Sequence, residues 1–448
     1  MDSNSLTPLL WTWGFIILPL LYLVVRRPSS GLVASYCFQM WMLYWLGALI
    51  HVFPWAELPE TDHVELGFQQ ATWGIAAFAV GVVAFGPLLG RAMLGKGVPE
   101  TVPEGFQVEM DPAIARRYIK MGLISYFILA PTVGRINGLN GVGSAASQLV
   151  VAGCCLQSWI AWNRGGKAAL LRTMPQTFLI PMVTLVKQGF MSYGVLAITT
   201  IMLFVAGFFR PRWILLVGFM VGAYLGLTVY VSYMRDRTEL RSVVWTEDRS
   251  TLEKMQAGWH TLATLDAFDP KNQEQLEYID GRLNQDGLVG TAVDNLSNGG
   301  EFLKGSTIVD ALLAMIPRLL WPSKPITGGS GGLAAKLTGL EFASGTSVGV
   351  GPVLEFYGNF GTRGVVLGFL FLGVLIGALD FCAGVHLRLG NWTMFTSFFL
   401  VGISCLNVAG SLVEITAGAM ASLVVATVVR RRERRLLYTA QPVEAPAR

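Results

Sequence analysis

The sequence predicts an all-α fold: a polytopic bundle of about eleven transmembrane helices with one large extracytoplasmic loop that carries short helices of its own. Three observations predict it. The chain is 53% hydrophobic and only 14% charged, with a mean hydropathy of +0.52, whereas a soluble domain carries about 25% charged residues. Its apolar residues fall in blocks of about twenty, the length that crosses a bilayer core. A membrane β-barrel would show short alternating segments instead. Finally, the cations gather at the ends of these blocks, mostly on one side.

The spans run roughly over 7–25, 31–53, 68–90, 118–138, 145–163, 173–187, 190–209, 213–234, 364–384, 391–410 and 412–429. No basic stretch precedes the first, so it reads as an uncleaved span rather than a signal peptide. The sixth is short and holds Pro175 and Pro181. Arg26-Arg27, Arg91 with Lys96, Arg116-Arg117, Arg164 with Lys167 and Arg172, Arg210 with Arg212, Arg388, and Arg430 to Arg435 fall on one side. The positive-inside rule makes that side the cytoplasm, with the N-terminus outside and the C-terminus inside. The opposite short loops hold Arg135 and Lys187.

Four regions follow: a membrane bundle of about eight spans over 1–234, a loop over 235–363, further spans over 364–435, and a polar tail over 436–448 that composition predicts to be disordered. The net charge of +4 is explained by cations at helix ends and is no sign of a nucleic-acid partner. The five cysteines include no CxxC pair, which supports neither a disulfide framework nor a zinc site.

The loop holds twelve Lys or Arg against sixteen Asp or Glu. Long structured loops are usually functional. Leu252, Met255, Trp259 and Leu262 recur at helical spacing, as do Leu276, Ile279 and Leu283. A third helix is expected at about 307–316, with Thr307 and Asp310 at capping-box spacing and Pro317 ending it.

Several constellations in and around this loop are candidates for chemistry. Pro317-Arg318-Leu319-Leu320-Trp321-Pro322-Ser323-Lys324-Pro325 sets two cations between three prolines, which fix φ and lack an amide donor. Arginine matches phosphate oxygens with a planar two-pronged fork, and lysine adds a point charge. Arg318 and Lys324 therefore suit an anionic group such as a diphosphate, with Arg282 as a weaker companion. The other reading of Arg318 is an interface anchor paired with Asp310. Arg235, Arg237 and Arg241 interleave with Asp236 and Glu239 and read as a salt-bridged helix end.

Thr327-Gly328-Gly329-Ser330-Gly331-Gly332 lacks a nucleotide-loop ending and reads as a mobile flap. Glu355, in Glu355-Phe356-Tyr357-Gly358-Asn359-Phe360-Gly361 at the mouth of the ninth span, is a candidate general base for a sugar hydroxyl. Arg363 either binds the diphosphate or locks Glu355. His260, the loop's single histidine, is an alternative base or ordinary surface. Arg135, near the outer end of the fourth span, either faces a pathway or snorkels.

At Ile316 to Pro325, then Thr346-Ser347, then Glu355 to Gly361, the chain resembles the O-antigen, or oligosaccharide repeat-unit, polymerases of the Wzy type. Arg282-Leu283 with Leu288-Val289-Gly290 is similar to the segment upstream. The specific likeness covers about 280–380. It implies an enzyme of the bacterial inner membrane. A growing glycan would pass from one undecaprenyl-diphosphate carrier to the terminal sugar of another lipid-linked repeat unit.

The resemblance also implies a chain-length regulator and a flippase as neighbours, and no cofactor. The loop has no DxD-like metal motif, so the expected route is metal-independent. Two rivals stand beside it: a glycan ligase of the O-antigen ligase type, and a lipid-linked oligosaccharide flippase or transporter. A transporter concentrates polar groups within its spans, whereas here they concentrate in one outer loop.

Overall fold

The computed structural model describes residues 5–440 except 96, 101–110, 134–139, 189–191, 209–212, 246–250, 319, 322, 325–329 and 343–347. Among the described residues all regular structure is helical. The first part of the chain forms α1 (Leu6–Val25), α2 (Leu32–Met40), α3 (Leu46–Ile50), α4 (Thr61–Val80), α5 (Gly86–Leu94), α6 (Pro112–Ile124), α7 (Ala130–Val133) and α8 (Asn140–Ser147). Then come α9 (Leu149–Thr173), α10 (Leu179–Gln188), α11 (Ser192–Ala206) and α12 (Trp213–Trp245). Single π-helical stretches at Trp41–Trp45, Gly81–Phe85 and Ser125–Leu129 join α2 to α3, α4 to α5 and α6 to α7 without ending the rod.

Among the described residues six helical stretches are long and apolar enough to cross a membrane: Leu6–Val25, Leu32–Ile50, Thr61–Leu94, Gly141–Leu185, Gly351–Arg388 and Leu412–Glu433. Tyr193–Ala206 and Trp392–Ser404 are shorter apolar helices. Each of the eleven apolar blocks read from the sequence is mainly helix. The helices bury one face against each other and leave an apolar face outward. Trp11, Phe15 and Leu18 on α1 are exposed, as are Met220, Val221 and Leu225 on α12. In water such stripes are costly, whereas lipid accepts them.

The segment after α12 forms α13 (Thr251–Ala263), α14 (Gln273–Leu283), α15 (Asp286–Ser297), α16 (Ser306–Ala314) and α17 (Ser330–Thr338). These precede α18 (Gly351–Arg388), α19 (Trp392–Ser404) and α20 (Leu412–Ala440). The helix α13 carries the first periodic run and α14 the second. The expected third helix is α16.

Three expectations need correction. Ser330 to Gly332 open a helix instead of a flap, because Ala334 and Leu337 give that stretch an apolar face that is fully buried. Glu355 lies inside α18, not at a loop mouth, because Pro352 in the first turn starts the helix thirteen residues before 364. Finally, α20 runs through Ala440, into the stretch read as a disordered tail.

The core of the bundle is α18 lying along α4 and α5. Glycine permits the approach: a β carbon on Gly81 would stand 2.4 Å from the Leu370 carbonyl oxygen, and one on Gly373 2.3 Å from that of Phe78. Gly74 meets Phe369 and Gly90 meets Phe381, so the two helices run in the same direction. Thr61, where α4 starts, marks one end of the bundle, and the half of α18 before its break at Phe360–Gly361 folds back on the rest, since a β carbon on Gly368 would stand 2.4 Å from the Phe356 ring. At that end α15 lies antiparallel on the first half of α4, with Gly290 against the His63 carbonyl and Gly67 against the Asp286 backbone. There too α14 packs on α3, α17 on α15, and α16 on α20.

Candidate functional site

The first half of α18 is buried on all sides from Gly351 to Asn359. It then breaks at Phe360 and at Gly361, whose φ of 63° favours glycine. Glu355, 1% exposed, sits in the buried half. Its Oε1 accepts the Leu412 backbone N–H at 3.0 Å, at the first residue of α20. Among the described residues its Oε2 accepts no hydrogen bond, although the Thr307 hydroxyl bears on the carboxylate from α16. The charges that bear on it are Glu414 and Asp310, both acidic.

One turn further on, Asn359 ties α18 to α16. Its Nδ2 donates to Thr307 Oγ1 at 2.7 Å, and its Oδ1 accepts the Gly305 N–H at 2.8 Å. Thr416 on α20 closes the other side by donating to the Ala311 carbonyl at 2.7 Å. Glu355 is thus held where α16, α18 and α20 meet. A buried carboxyl with an oxygen unpartnered costs free energy, roughly 1–3 kcal/mol per lost hydrogen bond.

The Pro317 segment is a compact turn. Leu320 and Trp321 donate their N–H groups to the Pro317 carbonyl at 2.9 and 3.2 Å, and Lys324 N–H reaches Trp321 O at 3.1 Å. Arg318 Nη1 donates to the Lys324 carbonyl at 2.8 Å, while Lys324 Nζ donates to the Ile316 carbonyl at 3.1 Å. The ammonium is drawn inward: Lys324 is 8% exposed, and burial, helped by the Arg318 charge, lowers its pKa below the usual lysine value. Leu320 points out, 77% exposed. This turn lies beyond α16 from Glu355, and a nine-residue helix is about 13 Å long. The two candidate groups therefore sit at opposite ends of one short helix.

The other sequence candidates lie apart. Arg363 is exposed just past the α18 break and makes no ion pair among the described residues, so it does not lock Glu355. Arg282 is exposed on α14 and His260 is exposed near the end of α13. Arg135 lies outside the described residues. Arg235 is salt-bridged as read, paired with Asp236 at 2.7 Å and with Asp266, but it lies within α12, which runs on to Trp245, and not at a helix end.

Two buried groupings carry no sequence signal. His51, its side chain fully buried, places Nε2 2.8 Å from Asp280 Oδ1 and Nδ1 3.1 Å from Thr61 Oγ1. Asn284 Nδ2 donates to the same Asp280 oxygen at 2.7 Å. His51 and Asp280 are 229 residues apart, so no local spacing announces them. The second is Asp286, fully buried at the first turn of α15 with neither carboxylate oxygen partnered among the described residues. Burial first, and then the Asp280 charge, push its pKa well above the usual carboxylate range. In sequence it looks like an ordinary acid opening a helix. What hides it is the approach of α15 to α4 at Gly67.

A family model described as "Domain of unknown function (DUF8712)" matches residues 91–427, and the chain belongs to that family. No curated protein and no solved structure matches it.

Proposed function

For this member of the family we propose a membrane glycosyltransferase that joins polyprenyl-diphosphate-linked oligosaccharide repeat units into a polysaccharide at the outer face of the bacterial inner membrane. In this reading all eleven apolar blocks cross the bilayer and residues 235–363 lie outside. The parallel course of α4 and α18 supports that topology, because the third and ninth of eleven spans both enter from the outer side. The gathering of α14 to α17 at the end where those spans begin supports it as well.

In the transfer, a hydroxyl oxygen of the acceptor unit bonds to the anomeric carbon of the growing chain. The bond from that carbon to the carrier diphosphate breaks, and its electron pair leaves with the diphosphate. Glu355 takes the hydroxyl proton through Oε2, while the Leu412 N–H holds Oε1 in place. Access to Glu355 comes from parting of the cover formed by α16 and the turn before α20. Arg318 and Lys324 offset the charge that grows on the leaving group. The donor bond supplies the energy.

The observation that carries the reading is α16 itself, which links the two segments of the resemblance. Its first turn is tied through Thr307 and Asn359 to the Glu355 helix, and its end leads into the Arg318–Lys324 turn. Deletion of the gene in its own host tests the reading. Single repeat units should accumulate on the lipid carrier and return to polymer when the chain is restored. Long chains stranded on the carrier would indicate a ligase instead. An unchanged glycan profile would overturn both.

A further inference from the structure

A cavity of about 190 Å³ lies where α14 and α15 meet the start of α4. Its lining mixes polar residues, Glu60, Asp280, Asn284 and Thr291, with apolar ones, Val64 and Leu288 among them. Gly287, Leu288 and Thr291 follow one another at helical spacing on α15 and form a single face, and Asn284 joins them from the end of α14. A β carbon on Gly287 would meet nothing within 4 Å, so the missing side chain leaves room that a larger residue would fill.

The carboxylate in this cavity is aimed. Asp280 Oδ1 receives His51 Nε2 and Asn284 Nδ2, and both supporting groups are themselves fixed. His51 is held from behind at 3.1 Å by Thr61 Oγ1. Asn284 Oδ1 accepts the Asp286 N–H at 3.0 Å, and its side chain lies flat against Gly47, where a β carbon would stand 2.7 Å away. Two donors on one oxygen of a carboxylate orient the other oxygen. Asp280 remains 21% exposed while His51 is closed off, so the carboxylate faces the cavity and the imidazole stands behind it.

The lining selects a ligand class. Glu60 and Asp280 repel a diphosphate. Carboxylate and amide groups with a threonine hydroxyl match the hydroxyl edge of a sugar, and Val64 and Leu288 offer apolar surface to the C–H groups of its ring. The volume is below the roughly 300 Å³ at which pockets for drug-sized ligands begin, which fits one ring and not a chain.

We propose that this cavity is a subsite for one neutral sugar ring, the terminal residue of the acceptor, with Asp280 as its specificity-determining contact and His51 as the positioning residue behind it. The assignment of the ring to an acceptor rests on the transferase reading above. The binding of the ring does not.

The test uses the full chain in lipid nanodiscs and two variants, Asp280→Asn and Gly287→Leu. Polymer formation from a lipid-linked repeat unit is measured against acceptor concentration. Both variants should raise the acceptor KM at least tenfold with kcat within about threefold of wild type and unchanged melting temperature. His51→Gln should shift KM in the same direction. Saturation-transfer NMR with methyl glycosides of hexoses and N-acetylhexosamines reads ring binding directly, and Gly287→Leu should abolish it.

If the wild type makes no polymer yet binds a glycoside that Gly287→Leu does not, the subsite stands and the transferase reading falls. If the wild type binds none of these glycosides, or the variants leave KM unchanged while melting normally, the subsite is overturned.

Discussion

Arg318 and Lys324 hold each other's segment closed: the guanidinium donates to the Lys324 carbonyl at 2.8 Å, and the Lys324 ammonium donates back to Ile316 at 3.1 Å. The turn thus spends hydrogen bonds of both cations on its own backbone. The planar two-pronged fork of an arginine and the point charge of an ammonium on a single stem are not interchangeable at such a site.

Arg318→Lys should therefore reduce polymer yield at least tenfold while the protein still inserts and melts within about 2 °C of wild type. Complementation of the deletion strain, read as the glycan ladder, checks this. Near-normal ladders from both Arg318→Lys and Arg318→Ala would leave Arg318 as a clasp of the turn alone.

Glu355→Gln retains an oxygen for the Leu412 N–H and the same volume, so the junction of α16, α18 and α20 should survive. Loss of a general base lowers turnover by about a hundredfold or more. Binding of the lipid-linked donor should persist. Arg363→Gln should change stability by less than about 0.5 kcal/mol, as for other exposed side chains, and should not rescue Glu355→Gln. Turnover with purified protein separates these outcomes. Rescue in the double variant would remove Glu355 from the chemistry.

Asp286 predicts a pH dependence of stability. The unfolded carboxyl titrates near about 3.9, and the folded one only well above the usual range, because burial and then Asp280 oppose its charge. Below the unfolded value both states are protonated and the group is neutral to stability. As pH rises past it, the unfolded chain loses its proton while the folded chain keeps its own, so stability falls until the folded group ionises. Asp286→Asn should flatten that slope and raise the melting temperature at pH 7 relative to pH 5. Parallel melting curves for wild type and variant across this range would contradict it.

Much of the fold was legible because lipid imposes a simple rule: about twenty apolar residues per crossing, with helix as the local solution. The helices α13, α14 and α16 were legible from their periodic apolar residues. The start of α18 at Gly351 was not, because Gly351, Gly358 and Gly361 lower helix propensity there and tertiary burial overrides it. Propensity likewise argued against α17. Glu355 stood out by its motif. The His51–Asp280 pair and the buried Asp286 did not, since both depend on α14 and α15 docking against α3 and α4. That docking is permitted by Gly47, Gly67 and Gly290, whose partners are distant in sequence. Close helix approach leaves only isolated glycines as its trace, and nothing in the sequence pairs them.

The most direct measurement takes the purified full chain in nanodiscs with a single species of polyprenyl-diphosphate-linked repeat unit and follows the glycan length by gel and mass spectrometry. The account predicts a ladder that grows in steps of one repeat unit, releases one polyprenyl diphosphate per step, and vanishes with Glu355→Gln. Release of the carrier without chain growth, or no consumption of the repeat unit by a folded wild-type protein, would contradict it.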